Sequence, residues 1–279
     1  MGLSPSPPQP EILSPEGQYA PPQARARRGW ARAPATYALV GINCAVFVGM
    51  VARGASIWMP NLDQLMQWGA DRPNNVIVYG EWWRIVTAMF VHVGILHLAT
   101  NMWCLWNLGL LAEPLMGSFG LIACYILTGA AGNLLSTCYN WLRPIHDSSG
   151  APFFQAGAGA SGAVFGIAGA LIVLLKSKRL PVPPRELTRL RKSVIYFAAI
   201  NLVIGLSVNF GSGFTGVAID NSAHIGGVLS GLLFAAPMVP RIGSSRGEFQ
   251  TRLRITVAMV VLLLVLFGFY IANLLPPPG

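Results

Sequence analysis

Charge is what this sequence has least of. Only 10% of its 279 residues are Asp, Glu, Lys or Arg, against about 25% in a soluble domain, and the acidic ones are the scarcer, ten against nineteen basic. With 53% apolar residues beside them, a water-soluble globule is excluded. Cysteine is sparse as well: Cys44, Cys104, Cys124 and Cys138 lie in or at the ends of apolar runs with no CxxC pair, so neither a disulfide framework nor a zinc site is expected. They read as packing residues. No H-E-x-x-H occurs, and the few carboxylates do not cluster with the histidines, so no metal or other cofactor is expected. Strict alternation of apolar and polar residues is missing too, which excludes a transmembrane β-barrel. There is no internal repeat and no inverted pair of broken helices of the transporter kind. No apolar stretch follows the first residues as a cleavable signal would require, so the first span is expected to stay in the protein.

What the sequence has is long apolar runs near the roughly 20 residues that cross about 30 Å of hydrocarbon as a helix. Seven are expected, at about 36–52, 93–115, 118–137, 159–175, 193–211, 221–239 and 252–275. The fold class is therefore all-α, a polytopic membrane bundle. Fifteen of the nineteen basic residues fall before span one, after span four or after span six, and only Arg53, Arg72, Arg84 and Arg143 lie on the other side. The positive-inside rule then puts the N-terminus in the cytoplasm and the C-terminus outside. Anionic lipid headgroups account for the net charge of +9 better than nucleic acid does. Residues 1–35, rich in Pro and Arg, read as a disordered cytoplasmic tail. The outer loop 53–91 holds Trp58, Trp68, Trp82 and Trp83 and is expected to lie on or partly in the membrane. In the cytoplasmic loop 176–192 the run "PVPP" argues against a continuous helix.

That topology, derived from charge alone, gathers the unusual polar residues. "HVGILHLATNMW" opens span two with His92, His97 and Asn101; "GASG" opens span four with Ser161; "NSAHIGGVLSG" opens span six with His224. All three spans run inward, so Ser, His and Asn reach the same outer depth. Each residue also has a packing explanation. Gly159, Gly162, Gly166, Gly227 and Gly231 have the small-xxx-small spacing of helices in close contact, and Ser161 could be one more small residue. His97 and Asn101, four apart, share a helix face and could be an interhelical hydrogen-bonding pair. An intramembrane His is costly and points to function more often than a small residue does. A path for transport is the rival function, but the polar residues stop in the outer half, with only Glu113 further in, a candidate hydrogen-bonding residue at the inner end of span two.

A serine hydroxyl becomes a nucleophile when a neighbouring base takes its proton, and imidazole suits that task near neutral pH. Ser161 and His224 would be that pair, with His97, Asn101 and the Ser161 N–H as donors to an oxyanion. Near the start of its helix, Ser161 also has free N–H groups and a favourable dipole. The acid of a triad is missing. Asp220, four residues before His224, could orient the imidazole but reads more readily as a helix cap or loop residue, so a two-residue dyad is the simpler reading.

"GASG" with Ser161, "AHIGG" with His224, the H-x4-H-x3-N spacing of His92, His97 and Asn101, and Trp83–Arg84 in "EWWR" resemble the rhomboid family of intramembrane serine proteases over residues 36–240. The resemblance implies a six-helix catalytic core at 36–240 and, in 241–279, a basic linker with a seventh helix. It implies a Ser161–His224 dyad, oxyanion help from His97 and Asn101, and support from His92, Gly159, Gly162, Gly227, Gly231, Trp83 and Arg84. It further implies single-span membrane substrates and the first loop lying sideways in the outer leaflet; the charge topology is what puts the site toward the outer side, in what is expected to be a cell membrane. Phe165 stands where some members carry a Tyr that stacks on the histidine. Inactive relatives that bind or chaperone membrane clients give the alternative function, but they typically lack the Ser or the His.

Overall fold

A computed structural model of the chain describes residues 33–146, 150, 152–177, 180, 183–211, 220–241 and 245–275. The expected tail 1–35 lies outside these but for its last three residues. The described residues are almost all helical: α1 (Pro34–Ala52), α2 (Leu62–Gln67), α3 (Pro73–Ile77), α4 (Arg84–Thr87), α5 (Ile95–Leu142), α6 (Ser161–Leu174), α7 (Pro184–Gly211), α8 (Asn221–Ala235) and α9 (Arg246–Leu274). Two short strands, β1 (Ile145–His146) and β2 (Pro152–Phe153), pair antiparallel between α5 and α6. Four of the helical stretches are long and apolar enough to cross a membrane, namely α1, α5, Asn221–Val239 and α9, while α6 is a shorter apolar helix. The chain is an integral membrane helix bundle.

At 48 residues α5 is too long for one crossing, and it is two spans joined at Gly117, whose φ of 75° is open to glycine without strain. The two halves double back on each other. His97 on the first half and Thr137 on the second both reach the segment before α6, through Gly159 and through Asp71, which pairs with Gly157. The turn at Gly117 is fastened by Glu113. Its carboxylate accepts the Ala35 and Thr36 amides at 2.9 Å, the Thr36 hydroxyl at 2.7 Å and the Ser118 hydroxyl at 2.7 Å. Glu113 thus does for the first turn of α1 what that turn lacks a side chain to do for itself.

Two spans are longer than hydropathy implies. Expected at 193–211, α7 starts at Pro184, so the cations Arg185, Arg189, Arg191 and Lys192 are on its first turns rather than in a loop. Proline at a first helical position costs nothing because that N–H has no intrahelical partner, so Pro184, the last residue of "PVPP", starts α7 instead of interrupting it. Expected from 252, α9 starts at Arg246, where the Ser245 hydroxyl accepts the Glu248 N–H at 3.3 Å. Apolar runs mark where lipid is, not where the helix ends.

The core is centred on α6, where every residue from Gly162 to Leu171 is buried. Only small residues permit the approach of α8. A methyl group on Gly227 would lie 2.1 Å from the Gly162 carbonyl oxygen, and one on Gly231 would lie 2.0 Å from that of Gly166. The glycine spacing seen in the sequence is the contact between these two helices.

Candidate active site

Ser161 is the first residue of α6. The chain enters through Gly159, whose φ of 128° is a glycine conformation and whose N–H donates to the Ala88 carbonyl at 2.9 Å. That bond uses the Gly159 amide, so the free donors at this point are the first-turn N–H groups of α6 itself, which have no intrahelical acceptor. Ser161 is half-buried, between the buried Ala160 and Gly162.

His224 lies one turn into α8, 5% exposed. Phe165 stacks on its ring, with centroids 4.2 Å apart and planes 15° from parallel. One helical turn separates Phe165 from Ser161 on the same face of α6, so this face looks at His224. Adjacent to it, the Ala223 carbonyl lies 3.5 Å from where a Gly162 methyl would be. The structure therefore brings the two helix faces together, and the phenyl ring fills the stacking position without a hydroxyl. It does not close a hydrogen bond between the two side chains, and His224 Nδ1 is buried without a partner. Loose contacts between nucleophile and base are common before substrate binds.

The third contributor is the first half of α5. The His97 ring lies against Gly159, where a methyl group would come within 2.5 Å of its Cε1, and Asn101 Nδ2 donates to the His97 carbonyl at 3.0 Å. One amide proton of Asn101 is left for another acceptor. His92 is fully buried, with Nδ1 3.3 Å from the Phe90 carbonyl and its ring 5.3 Å from that of His97. His92, His97, Asn101, Gly159, Ser161 and His224 thus form one neighbourhood.

Trp83 and Arg84 do not join it. Arg84 pairs with Glu81, donates to the Met66 carbonyl at 2.7 Å and to that of Ala70 at 3.0 Å, and stacks 4.4 Å above the half-exposed Trp83 ring. Glu81 is held below the usual carboxylate range by its hydrogen bond from Arg84 and a second from Asn75. The pair braces the loop between α1 and α5.

That loop reaches the site through a residue sequence reasoning passed over. Asp71, next to Ala70, forms an antiparallel bridge with Gly157: its N–H donates at 2.8 Å and its carbonyl accepts at 2.7 Å. Its carboxylate accepts the Thr137 hydroxyl at 2.9 Å. Asp220 caps α8 through Ala223 N–H at 3.0 Å, as its position suggests, and accepts the hydroxyls of Ser222 and of Ser136. With its oxygens so engaged, Asp220 does not serve as the partner of His224 Nδ1. Burial pushes the Asp71 carboxyl up to about 7, the Asp220 charge adds to this, and Thr137 and Arg84 act against it. The only hint in the sequence is an acidic residue in a chain that has few.

Against known proteins, the Rhomboid domain family matches residues 79–241. The chain is 31% identical to Rhomboid protease GluP of Bacillus subtilis (strain 168) over 84% of its own length and 40% of that protein's. It is 30% identical to Rhomboid protease AarA of Providencia stuartii, over 72% of this chain and 70% of the relative. With RHOMBOID-like protein 6, mitochondrial, of Arabidopsis thaliana the identity is 31%, over 68% and 55%. The chain spans 40% to 70% of the length of these relatives. The matched region runs from Tyr79 to Arg241 and so contains α4 through α8, the helices that bring Ser161, His224, His97 and Asn101 together, and on this ground the chain belongs to the rhomboid family.

Proposed function

We propose that the protein is a serine endopeptidase that cleaves single-span membrane proteins in or near the membrane segment. The observation that carries this reading is the glycine contact of α6 with α8, together with the Phe165 ring stacked on His224, which aims the Ser161 face of α6 at an imidazole. The relatives named rhomboid proteases support the same chemistry. Ser161 Oγ attacks the scissile carbonyl while His224 takes its proton; His224 then gives that proton to the leaving amine, and water releases the acyl group by the same steps in reverse order of roles. The oxyanion is met by the Ser161 N–H, the free amide proton of Asn101 and His97, near the positive end of α6. His92 backs His97.

Substrates are membrane helices, and the lipid bilayer is part of the working environment; no nucleic acid is involved. The catalytic core is 36–240, and 241–279 adds a basic linker and a seventh helix. The site opens to the outer side of a cell membrane, with the N-terminus cytoplasmic and the C-terminus outside.

A serine-directed phosphonate tests the reading. It should label Ser161 and no other serine, and Ser161→Ala or His224→Ala should abolish both labelling and cleavage of a model single-span substrate in a protein that remains folded. Wild-type cleavage by a folded Ser161→Ala protein would instead leave Ser161 as a packing residue.

A further inference from the structure

Asp71 and Asp220 come from segments 149 positions apart and meet at Gly157. A methyl group on Gly157 would lie 3.8 Å from Asp220 Oδ2 and 3.9 Å from Asp71 Cβ. Consecutive residues of α5 bind them, Ser136 holding Asp220 and Thr137 holding Asp71. Each residue governs one side of the site, Asp71 through its backbone and Asp220 through its carboxylate. Asp71 fixes the segment that leads into Ser161 through its two backbone bonds to Gly157, and Asp220 fixes the first turn of α8, which carries His224. Asp71 Oδ1 is buried with no hydrogen-bond partner. An ionised carboxylate would leave a charged oxygen without a donor there, whereas a protonated one leaves a neutral group.

We propose that Asp71 and Asp220 are positioning residues, and that Asp71, holding its proton beside the Asp220 charge, is a clasp that sets the Ser161 segment in register with the His224 helix. The proposal rests on the reading of Ser161 and His224 as nucleophile and base. With one proton retained, a single negative charge lies between the two segments and the bridge at Gly157 is undisturbed. When the proton leaves, two like charges face each other across Gly157 and push the segments apart.

The charged groups around the clasp do not remove this repulsion. Arg84 on α4 acts on Asp71 electrostatically, but its hydrogen bonds go to Glu81 and to two backbone carbonyls. Arg72 Nε donates to the Phe154 carbonyl at 3.0 Å, and His224, on α8, is the other titratable group near Asp220. From α5 come only the neutral Ser136 and Thr137 hydroxyls, and Gly157 brings no side chain.

The sign follows from the Asp71 carboxyl being raised by burial from 3.8 to about 7. Below its unfolded value the native state is favoured in full by this group. Between about 4 and about 7 the native state binds more protons than the unfolded one, so resistance to unfolding declines as pH rises. Above about 7 the clasp is open, and the reactivity of Ser161 falls by about tenfold per pH unit, as one proton is lost.

The test uses the full chain in detergent, with the unfolding midpoint and the rate of phosphonate labelling of Ser161 both followed from pH 5 to pH 9. Wild type should lose unfolding resistance toward neutral pH and lose labelling above it. Asp71→Asn, neutral at every pH and of the same shape, should remove that slope and label about tenfold faster than wild type at pH 8. Asp71→Ala, lacking the Thr137 bond, should label slowly throughout. A pH slope of unfolding in Asp71→Asn equal to that of wild type overturns the clasp. Absence of Ser161 labelling in wild type at every pH overturns the protease reading alone, and the unfolding slopes then decide the clasp.

Discussion

Asn101 and His97 are the residues whose role is most sharply separable from packing. Removing one donor from an oxyanion site costs about 10²–10³ in rate, so Asn101→Ala and His97→Ala should each cut the cleavage of a model substrate to that extent while leaving residual activity, measured as initial rates in detergent. Wild-type rates in both would return them to helix packing. Gly227 responds differently. Its added methyl group would meet the Gly162 carbonyl at 2.1 Å, and neither backbone can yield without moving a helix. Gly227→Ala should therefore lower stability by about 1–3 kcal/mol, read as a lower unfolding midpoint, and should slow Ser161 labelling because the faces of α6 and α8 separate. Phe165 needs no such correction: a ring in contact with His224 keeps the imidazole plane fixed by stacking alone.

Among the helices, α1 depends on a residue outside itself. Four hydrogen bonds converge on Glu113, two of them from amides at the start of α1, and a buried donor left unsatisfied costs about 1–3 kcal/mol. Glu113→Ala should lower the unfolding midpoint markedly and Glu113→Gln less so, because the amide oxygen can still accept one of the two N–H groups. Helix α9 is the opposite case. Most of α9 is exposed, with Leu253, Thr256, Val260 and Ile271 among its few buried residues, and it carries none of the site residues. A chain ending near residue 245 should fold and cleave with lower stability. Loss of activity in a truncated protein that remains folded would put part of the substrate path on α9.

Orientation belongs to the molecule as a whole, and the proposed one rests on where fifteen basic residues fall against four. Single cysteines introduced in 176–192 should react with an impermeant thiol reagent only from the cytoplasmic side, and those in 53–91 only from outside. A reaction of the 176–192 positions from outside would reverse the topology and remove the shared outer depth of Ser161, His97, Asn101 and His224.

Much of this architecture is local and was legible for that reason. Spans follow from hydropathy because unpaired backbone groups cannot enter lipid, and the α6–α8 contact follows from glycine spacing because close approach needs small residues at a fixed helical period. Ser161, His224, His97 and Asn101 stand out since polar groups in apolar runs are expensive. Helix ends were less legible: α7 and α9 begin in charged turns that hydropathy discounts. What only the tertiary structure decided is the support around the site. Asp71 is one acidic residue in a loop until Gly157, Thr137 and Asp220 gather near it. Glu113 is a polar residue near the end of a span until it is found capping the start of a helix 77 positions away. Such pairings are made by segments with no sequence relation to each other, and burial, which gives a carboxyl its unusual proton affinity, exists only once those segments have closed over it.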